Sequence, residues 1–302
     1  MRFAGLSVAM VTPFRGGEVD WDGVDRMLDH LLTGGVDGIV PAGTTGEGAT
    51  LSQDEKSRLF RRCVEKAKGK AFVLAGTGSN DTRATIETTK MAEECGVDGA
   101  LVVTPYYNKP SQAGLIAHFR AVADASTLPI VLYNVPGRTS VKMDVPTMKV
   151  LAEHPRIVAV KEACGSLDMV TELIRDTRLT VLSGDDSLTL PMLAVGTTGV
   201  ISVLGNVVPA ALQAMLTAYR EGKDAEARRL HLALFELSRT LFLETNPTPV
   251  KRALATLGLI EEEFRLPLVP VQTKTAEAVD RELAALPDEL APTVAGQESG
   301  GR

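Results

Sequence analysis

Cysteine is scarce in this sequence: Cys63, Cys95 and Cys164 are the only three, and none belongs to a CxxC pair. Structural zinc sites and disulfide frameworks need paired cysteines, so this scarcity argues against both. It also fits a reducing compartment, and a cytoplasmic location is expected. Cys164 follows Lys161 by three residues without a histidine partner nearby, and it is expected to be a packing residue.

Long hydrophobic runs and an excess of positive charge are absent as well. No apolar run approaches the ~18 residues of a membrane helix, and the amino terminus, MRFAGLSVAMVTPF, lacks the pattern of a signal peptide. The net charge is -6 and the pI about 5.4, so neither nucleic acid nor anionic lipid is indicated as a partner. With 302 residues, 44% hydrophobic and 23% charged, the chain has the composition of a soluble globular enzyme.

Short apolar segments recur about every 30 residues, the size of one strand–helix unit, with helical patterns between them. GVDG at 35–38 and 96–99, and GTTGV at 196–200, each place one glycine at a helix end and another before a buried strand. Eight such units predict a closed (β/α)8 barrel over residues 1–223. The eight segments are LSVAMV from Leu6, GIVPA from Gly38, AFVLAG from Ala71, GALVVTP from Gly99, LPIVLYN from Leu128, RIVAVK from Arg156, LTVLSG from Leu179 and GVISVLG from Gly199.

After about Gly222 the helical patterns continue without strands. Residues 224–242 form one long amphipathic pattern, ETNPTPV breaks it, and VKRALATLGL begins another helix. Residues 224–286 are therefore predicted to be a helical domain. Residues 287–302, rich in Pro, Gly, Ser and Glu, are predicted to be a disordered tail.

A lysine ends the sixth apolar segment: RIVAVKEA runs four apolar residues straight into Lys161. Such a run is typical of a strand buried on both faces, and barrels assemble their active sites at the carboxyl ends of strands. Near apolar walls the neutral amine is favoured, which makes Lys161 a candidate nucleophile for a carbonyl carbon. The alternative is a lysine that reaches the rim to pair with a carboxylate such as Glu162.

Two further strand ends carry polar loops. AGTTGEG places Thr44 and Thr45 in a glycine loop that can offer N–H groups and hydroxyls to a carboxylate. Alternatively, Thr45 only caps the helix that begins near Ser52. Aromatic residues make up 4% of the chain, yet Tyr106 and Tyr107 are adjacent after the fourth strand, which suits a site or an oligomer interface.

The fifth strand ends in YNVPGRT. Tyr133 at its end can act as an acid or base, and the guanidinium of Arg138 fits a substrate carboxylate. A structural ion pair of Arg138 with Asp144 or Glu162 is the competing interpretation.

The seventh strand is followed by Asp185 and Asp186, which as paired acids could bind a divalent metal. No histidine cluster or third acid at the strand ends supports this, so a metal-free site is predicted. An amine, a tyrosine, paired threonines and an arginine together suit Schiff-base chemistry on a 2-oxo acid. The imine nitrogen draws electrons from the adjacent carbon, and loss of a proton there gives an enamine that attacks an aldehyde.

From Thr12 to about Pro270 the chain resembles the dihydrodipicolinate synthase (4-hydroxy-tetrahydrodipicolinate synthase) family. The resemblance rests on AGTTGE, TPYYNKPSQ, YNVPGRT, VKEA, LSGDD, GVISV and NPTPVK in the family's order and spacing. It implies a barrel with a carboxy-terminal helical domain, and a homotetramer built as a dimer of dimers. It further implies a lyase of lysine and diaminopimelate biosynthesis that condenses pyruvate with L-aspartate 4-semialdehyde, with no cofactor beyond the lysine imine.

The resemblance also implies catalytic roles for four residues. Lys161 forms the imine with pyruvate, and Tyr133 transfers protons to and from the intermediates. Thr44 relays those protons, and Tyr107 completes the relay by reaching into the site of a neighbouring subunit.

Four more residues are implied to bind substrate. Thr45 holds the pyruvate carboxylate, and Arg138 binds the semialdehyde carboxylate at the site entrance. Gly184 and Ile201 line the pyruvate pocket with their backbones.

Other functions remain as alternatives. Relatives such as N-acetylneuraminate lyase and sugar-acid aldolases or dehydratases share the lysine and tyrosine, but the sialic-acid enzymes lack the arginine of YNVPGRT. A phosphate-handling barrel is disfavoured because SGDD is acidic at the loop where such barrels bind phosphate. A non-catalytic oligomeric paralogue would not be expected to keep the lysine, tyrosine and arginine together.

One departure from the family concerns regulation. Lysine-inhibited members use an acidic side chain and histidines at positions that here carry Ala84, Gln53 and Lys56, although Asn80 and Tyr106 remain. Without the carboxylate, the ammonium group of the effector loses its ion-pair partner. Weak or absent inhibition by L-lysine is therefore predicted, and half-inhibition at sub-millimolar lysine would contradict it.

Overall fold

The computed structural model describes residues 3–292, in which eight parallel strands form a closed barrel. Each strand pairs with the next along the chain, and the last pairs with the first. Every predicted apolar segment overlaps one of these strands, with at most one strand residue outside the segment, so the predicted (β/α)8 barrel is confirmed. The strands are β1 (Gly5–Ala9), β2 (Gly38–Val40), β3 (Phe72–Gly76), β4 (Gly99–Val103), β5 (Ile130–Asn134), β6 (Ile157–Glu162), β7 (Thr180–Ser183) and β8 (Gly199–Ser202).

Helices alternate with the strands and continue beyond the last one. Short 3-10 turns span Asp186–Leu188, Leu204–Asn206 and Asp288–Leu290, and a small antiparallel hairpin pairs Phe14–Arg15 with Glu18–Val19. The helices are α1 (Trp21–Thr33), α2 (Gln53–Ala67), α3 (Thr82–Glu94), α4 (Gln112–Asp124), α5 (Pro136–Thr139), α6 (Val145–Ala152), α7 (Leu167–Asp176), α8 (Thr189–Ala194), α9 (Pro209–Arg220), α10 (Asp224–Thr240), α11 (Thr248–Thr256) and α12 (Thr273–Ala284).

The core has two parts because successive side chains of a strand point to opposite faces. A smaller cluster, including Val40, Leu101 and Ile201, fills the interior of the barrel. A larger cluster, which joins strand residues such as Val8 to helix residues such as Phe60, lies between strands and helices. Each such buried apolar side chain contributes about 1.5–3 kcal/mol to the free energy of folding.

The carboxy-terminal helices pack beside the barrel, with α10 lying against α9 and α12. The predicted boundary at residue 223 falls in the turn between α9 and α10. The helix α11 begins at Thr248, earlier than the sequence pattern indicated, because Pro249 is tolerated in the first turn of a helix. None of the helices in the described part of the chain combines the length and apolar character needed to cross a bilayer.

The predicted tail, 287–302, is described only as far as residue 292. In that part Asp288–Leu290 forms a 3-10 turn, and Leu290 is buried against the larger cluster. Residues 293–302 lie outside the described residues.

Candidate active site

The residues singled out from the sequence meet at one end of the barrel because each stands at or just after the carboxyl end of a strand. Lys161 and Tyr133 are next to last in β6 and β5, and the strand register pairs them directly. Lys161 is 5% exposed, and its Nζ lies 4.4 Å from the centroid of the Tyr133 ring. A buried amine therefore stands beside a phenol within the barrel mouth.

Lys161 and Glu162 do not pair, because adjacent residues of a strand point to opposite faces. The carboxylate of Glu162 accepts hydrogen bonds from Asn134 Nδ2 at 3.0 Å and from the backbone N–H of Cys164 at 2.9 Å. Burial raises the pKa of Glu162. The alternative of a lysine paired with Glu162 at the rim is therefore wrong.

Gly184, the first residue after β7, leaves room for the lysine side chain. Its backbone N–H donates to the carbonyl oxygen of Glu162 at 2.8 Å, which fixes it against β6. A Cβ atom on Gly184 would lie 2.7 Å from Ala163 Cβ and 3.1 Å from Lys161 Cε. Any side chain here would crowd the stem of Lys161.

The loop after β2 places its two threonines differently: Thr45 is buried, whereas Thr44 is exposed. Asn246 Nδ2 donates to Thr45 Oγ1 at 2.9 Å, although the two residues are far apart in the chain. Ser52, and not Thr45, caps α2, since its Oγ accepts from the backbone N–H of Glu55 in a capping box. Capping as the role of Thr45 is therefore ruled out.

Arg138 lies in the short helix α5 and is exposed to solvent. Its Nη2 donates to the carbonyl oxygen of Asn246 at 3.4 Å. Asp144 instead caps α6 by accepting from the backbone N–H of Thr147, and Glu162 is engaged as described above. Neither competing ion pair of Arg138 forms in the described structure, and its guanidinium is available at the mouth of the barrel.

Tyr107 stands out from the chain after β4. Its side chain is 87% exposed, and its φ of 74° lies in the left-handed region that a bulky residue rarely adopts. Asn108 holds this turn, because its Nδ2 donates to the carbonyl oxygen of Asn80 at 2.7 Å. The loop thus displays a large aromatic side chain on the surface of the single chain.

The two acids after β7 have separate environments. Asp186 accepts from Ser202 Oγ and from the backbone N–H groups of Val203 and Leu204, both at 2.9 Å. Burial raises the pKa of Asp186 and that of Asp185. The positive charge of Lys161 acts in the other direction on Asp185, because it lowers the pKa of that carboxyl, but the effect of burial is larger. Asp186 is therefore occupied in holding the loop after β8. Over residues 3–292 no cluster of three or more His, Cys, Asp or Glu side chains is placed to hold a metal ion.

The positions matched to the lysine-binding site of inhibited relatives lie on α2 and α3. Gln53 Nε2 donates to Thr88 Oγ1 at 3.1 Å, and burial lowers the pKa of Lys56. Weak or absent inhibition by L-lysine stays a prediction.

Sequence reasoning missed three residues near the site: Asn246, Glu47 and Lys251. Asn246 contacts both Thr45 and Arg138, and Glu47 forms a buried ion pair with Lys251. The motifs GTTGE and NPTPVK contain all three, so the signal was present, but nothing in the sequence showed that the two motifs touch.

Known proteins of one family share this architecture. A profile described as the dihydrodipicolinate synthetase family matches residues 2–286. A relative from Pelobacter propionicus named 4-hydroxy-tetrahydrodipicolinate synthase is 52% identical over 271 residues, 89% of this chain and 93% of its own length. One of the same name from Maridesulfovibrio salexigens is 46% identical over 288 residues, covering 94% of this chain and 99% of the relative. The solved 4-hydroxy-tetrahydrodipicolinate synthase from Methylacidiphilum fumariolicum SolV superposes with a TM-score of 0.92 at 47% identity, covering 94% of this chain and 96% of that chain.

Proposed function

This chain belongs to the dihydrodipicolinate synthetase family, and from that premise we propose how its site carries out the family's reaction. The chain is a lyase that condenses pyruvate with L-aspartate 4-semialdehyde to 4-hydroxy-tetrahydrodipicolinate, a step of lysine and diaminopimelate biosynthesis. The observation that carries the mechanism is the buried amine of Lys161 beside the Tyr133 ring at the barrel mouth.

The first step is attack of Lys161 Nζ on the keto carbon of pyruvate. One water leaves as the imine forms, and the buried site disfavours its return. The protonated imine withdraws electrons, so a proton leaves the methyl carbon and an enamine forms. The enamine carbon attacks the aldehyde of the second substrate, and the amino group of that substrate then displaces Lys161. In this proposal Tyr133 carries protons in these steps, and no cofactor is needed, because the imine itself is the electron sink.

Thr45 is suited to bind the carboxylate of pyruvate. Its Oγ1 accepts a hydrogen bond from Asn246 Nδ2, which leaves the hydroxyl proton of Thr45 free to be donated. Gly184 and Ile201 are proposed to line the same pocket with their backbones; Gly184 has no side chain, and Ile201 belongs to the interior cluster. In this arrangement the carboxylate of pyruvate lies toward the loop after β2.

Arg138 is suited to bind the second substrate. Its guanidinium is exposed at the mouth, and its contact with the carbonyl oxygen of Asn246 restricts its position. A planar guanidinium recognises a carboxylate with two parallel hydrogen bonds. An aldehyde that carries a carboxylate, such as L-aspartate 4-semialdehyde, meets this requirement.

Tyr107 and Thr44 are proposed to complete the proton relay, with Tyr107 supplied by a second copy of the chain. The support is the 87% exposure of Tyr107 and its left-handed backbone, since strained conformations cluster at functional sites. The assembly proposed is a homotetramer built as a dimer of dimers, and the location proposed is the cytoplasm; both follow from the resemblance stated above.

Borohydride trapping tests the imine directly. The protein is incubated with pyruvate and sodium borohydride, with and without L-aspartate 4-semialdehyde. It is then digested, and the masses of its peptides are measured by mass spectrometry. We expect a reduced pyruvyl adduct on the peptide that carries Lys161, suppressed by the semialdehyde through turnover. Lys161→Ala should give neither adduct nor turnover, whereas Lys149→Ala, which removes an exposed lysine paired with Asp176, should behave as the parent. A parent protein that forms no adduct contradicts the proposal.

A further inference from the structure

A buried ion pair joins the loop after β2 to the carboxy-terminal helix α11. Lys251 Nζ donates to Glu47 Oε1 at 2.5 Å, and the two side chains are 0% and 1% exposed. The same Nζ donates to the carbonyl oxygen of Glu263 at 2.9 Å and lies 4.2 Å from the centroid of the Phe14 ring. The second oxygen of Glu47 accepts from the backbone N–H of Arg265 at 3.3 Å. Both charges are thus removed from water and satisfied within the protein.

Stability alone does not account for such a pair. The cost of removing two charges from water offsets much of their attraction, so apolar residues of similar volume often hold a core as well. A buried pair does select one arrangement, because any other leaves a charge without its partner. Glu47 and Lys251 therefore select one arrangement of the loop after β2 relative to α11.

On the loop side, the pair fixes the two threonines. Glu47 stands two residues after Thr45 with a left-handed φ of 51°, and its backbone N–H donates to the carbonyl oxygen of Thr44 at 3.1 Å. Gly48 closes the same turn by donating to the carbonyl oxygen of Gly43 at 3.1 Å. In so tight a turn, a displacement of the Glu47 carboxylate displaces Thr44 and Thr45 with it.

On the helix side, the pair fixes Asn246. Lys251 lies in the first turn of α11, where its backbone N–H donates to the carbonyl oxygen of Pro247 at 3.0 Å. Asn246, the residue before that proline, donates to Thr45 Oγ1 and accepts from Arg138. The ion pair and the Asn246 amide therefore attach the same end of α11 to the same loop.

We propose, on the basis of the function proposed above, that the Glu47–Lys251 pair positions Thr45 to receive the carboxylate of pyruvate. Glu47 and Lys251 are positioning residues that act through Thr45 and Asn246 and do not touch the substrate. The carboxy-terminal helix α11 thereby becomes part of the pyruvate-binding scaffold of the barrel.

The decisive variant is the double substitution Glu47→Gln with Lys251→Met, which removes both charges at nearly constant volume and leaves neither one unpaired. We expect its thermal midpoint to stay within about 5 °C of the parent. The KM for pyruvate should rise about tenfold or more with a smaller change in kcat, since the lost positioning weakens the ground state and the transition state alike. Borohydride trapping on Lys161 at low pyruvate should slow by the same factor.

Glu47→Asp is the second variant, and it tests the positioning role of Glu47 if the double variant does not fold. It keeps the charge but shortens the reach by one methylene, so the KM for pyruvate should rise several-fold while the fold is retained. The control is Asp25→Asn with Arg62→Met, which removes an ion pair between α1 and α2 and should leave that KM unchanged.

A folded double variant with the parental KM for pyruvate would overturn the inference, as would Glu47→Asp with the parental KM when the double variant does not fold. The parent enzyme is trapped in parallel. If it forms no adduct on Lys161, the proposed function itself fails and the positioning role falls with it. If the parent is trapped normally and the variants keep the parental KM for pyruvate, only the positioning role is contradicted and the proposed function stands.

Discussion

At the scale of single residues, the surroundings and not the residue type decide what a buried lysine does. Lys251 is held by Glu47 and by the carbonyl oxygen of Glu263, so its protons have fixed acceptors. Lys161 forms no ion pair with any described residue, and it faces the Tyr133 ring at the mouth of the barrel. A nucleophile needs this second environment, because its lone pair has to be available to a carbonyl carbon.

Gly184→Ala tests how much room Lys161 needs. The added methyl would meet Ala163 Cβ at 2.7 Å and Lys161 Cε at 3.1 Å, so one of them has to move. We expect the rate of adduct formation with pyruvate to fall at least about tenfold, and overpacking to lower the free energy of unfolding by about 1–3 kcal/mol. Trapping rates and urea denaturation measure the two effects.

The matched control is Gly137→Ala, where no atom lies within 4 Å of the added methyl. It should trap pyruvate at the parental rate. Equal rates of adduct formation in the parent and in Gly184→Ala would contradict this prediction, because the Lys161 side chain would then tolerate the added methyl group.

At the scale of elements, the segment between α11 and α12 fastens α2 and the loop after β2. Arg265 donates to both oxygens of Glu55, at 2.8 Å and 2.5 Å, and to the carbonyl oxygen of Thr50 at 3.0 Å. Glu55 also completes the capping box by accepting from the backbone N–H of Ser52 at 2.8 Å. The start of α2 and the end of the loop are therefore held by one carboxylate and one guanidinium.

The contribution of the Arg265–Glu55 pair to the free energy of unfolding should depend on pH. The hydrogen bonds from Arg265 lower the pKa of Glu55 to about 2 from its ordinary value of 4.5. A carboxylate whose pKa is lower in the folded protein than in the unfolded chain stabilises the fold at any pH above its unfolded-chain pKa. This contribution is lost as the pH falls through the pKa of the folded protein. Glu55→Gln should cost about 1 kcal/mol at pH 7, a difference that shrinks between about pH 5 and pH 2.

Urea denaturation of the two proteins at several pH values measures that difference. Glu226→Gln is the control, because its partner Arg229 forms an exposed pair within one helix, and its cost should be smaller than that of Glu55→Gln. A cost of Glu55→Gln that does not depend on pH would contradict the role of the carboxylate charge.

For the molecule as a whole, we propose that Tyr107 acts in the site of a second chain. Tyr107 extends 87% exposed from the loop after β4, and an aromatic side chain of this exposure is typical of an interface. If Tyr107 acts in the neighbouring site, one chain contributes the lysine and its partner the tyrosine.

Complementation between two inactive variants tests this arrangement. In a mixed dimer of Tyr107→Phe and Lys161→Ala, one site combines an intact Lys161 with Tyr107 from the other chain. The mixed dimers are obtained by co-expression and isolated through two affinity tags. We expect each to recover up to about half the activity of a parental dimer, because one of its two sites is complete. Homodimers of either variant serve as controls and should stay far below that value. Mixed dimers no more active than those controls would place Tyr107 in its own site or outside the mechanism.

The amino-acid pattern alone predicts the barrel, the sequence of its strands and helices, and the strand ends at which the candidate site residues stand. These follow from local patterns: β-branched apolar runs make buried strands, their spacing leaves room for one helix each, and parallel strands bring their carboxyl ends together. For that reason Lys161 and Tyr133 could be placed at the same end of the barrel, and the long helix from Asp224 could be recognised by its periodicity. The pattern S-x-x-E also indicates the cap at Ser52, and it favours Ser52 over Thr45 for that role.

The contacts between the carboxy-terminal helices and the loop after β2 could be found only from the folded chain. Asn246 reaches Thr45 across 201 residues, and Lys251 reaches Glu47 across 204 residues. The folded chain also showed that Asp186 is fully engaged by Ser202 and the loop after β8, which a pair of adjacent acids does not reveal. The physical reason is that a strand or helix is selected by its own residues, whereas a buried ion pair or hydrogen bond depends on which distant groups are left without water when the elements pack.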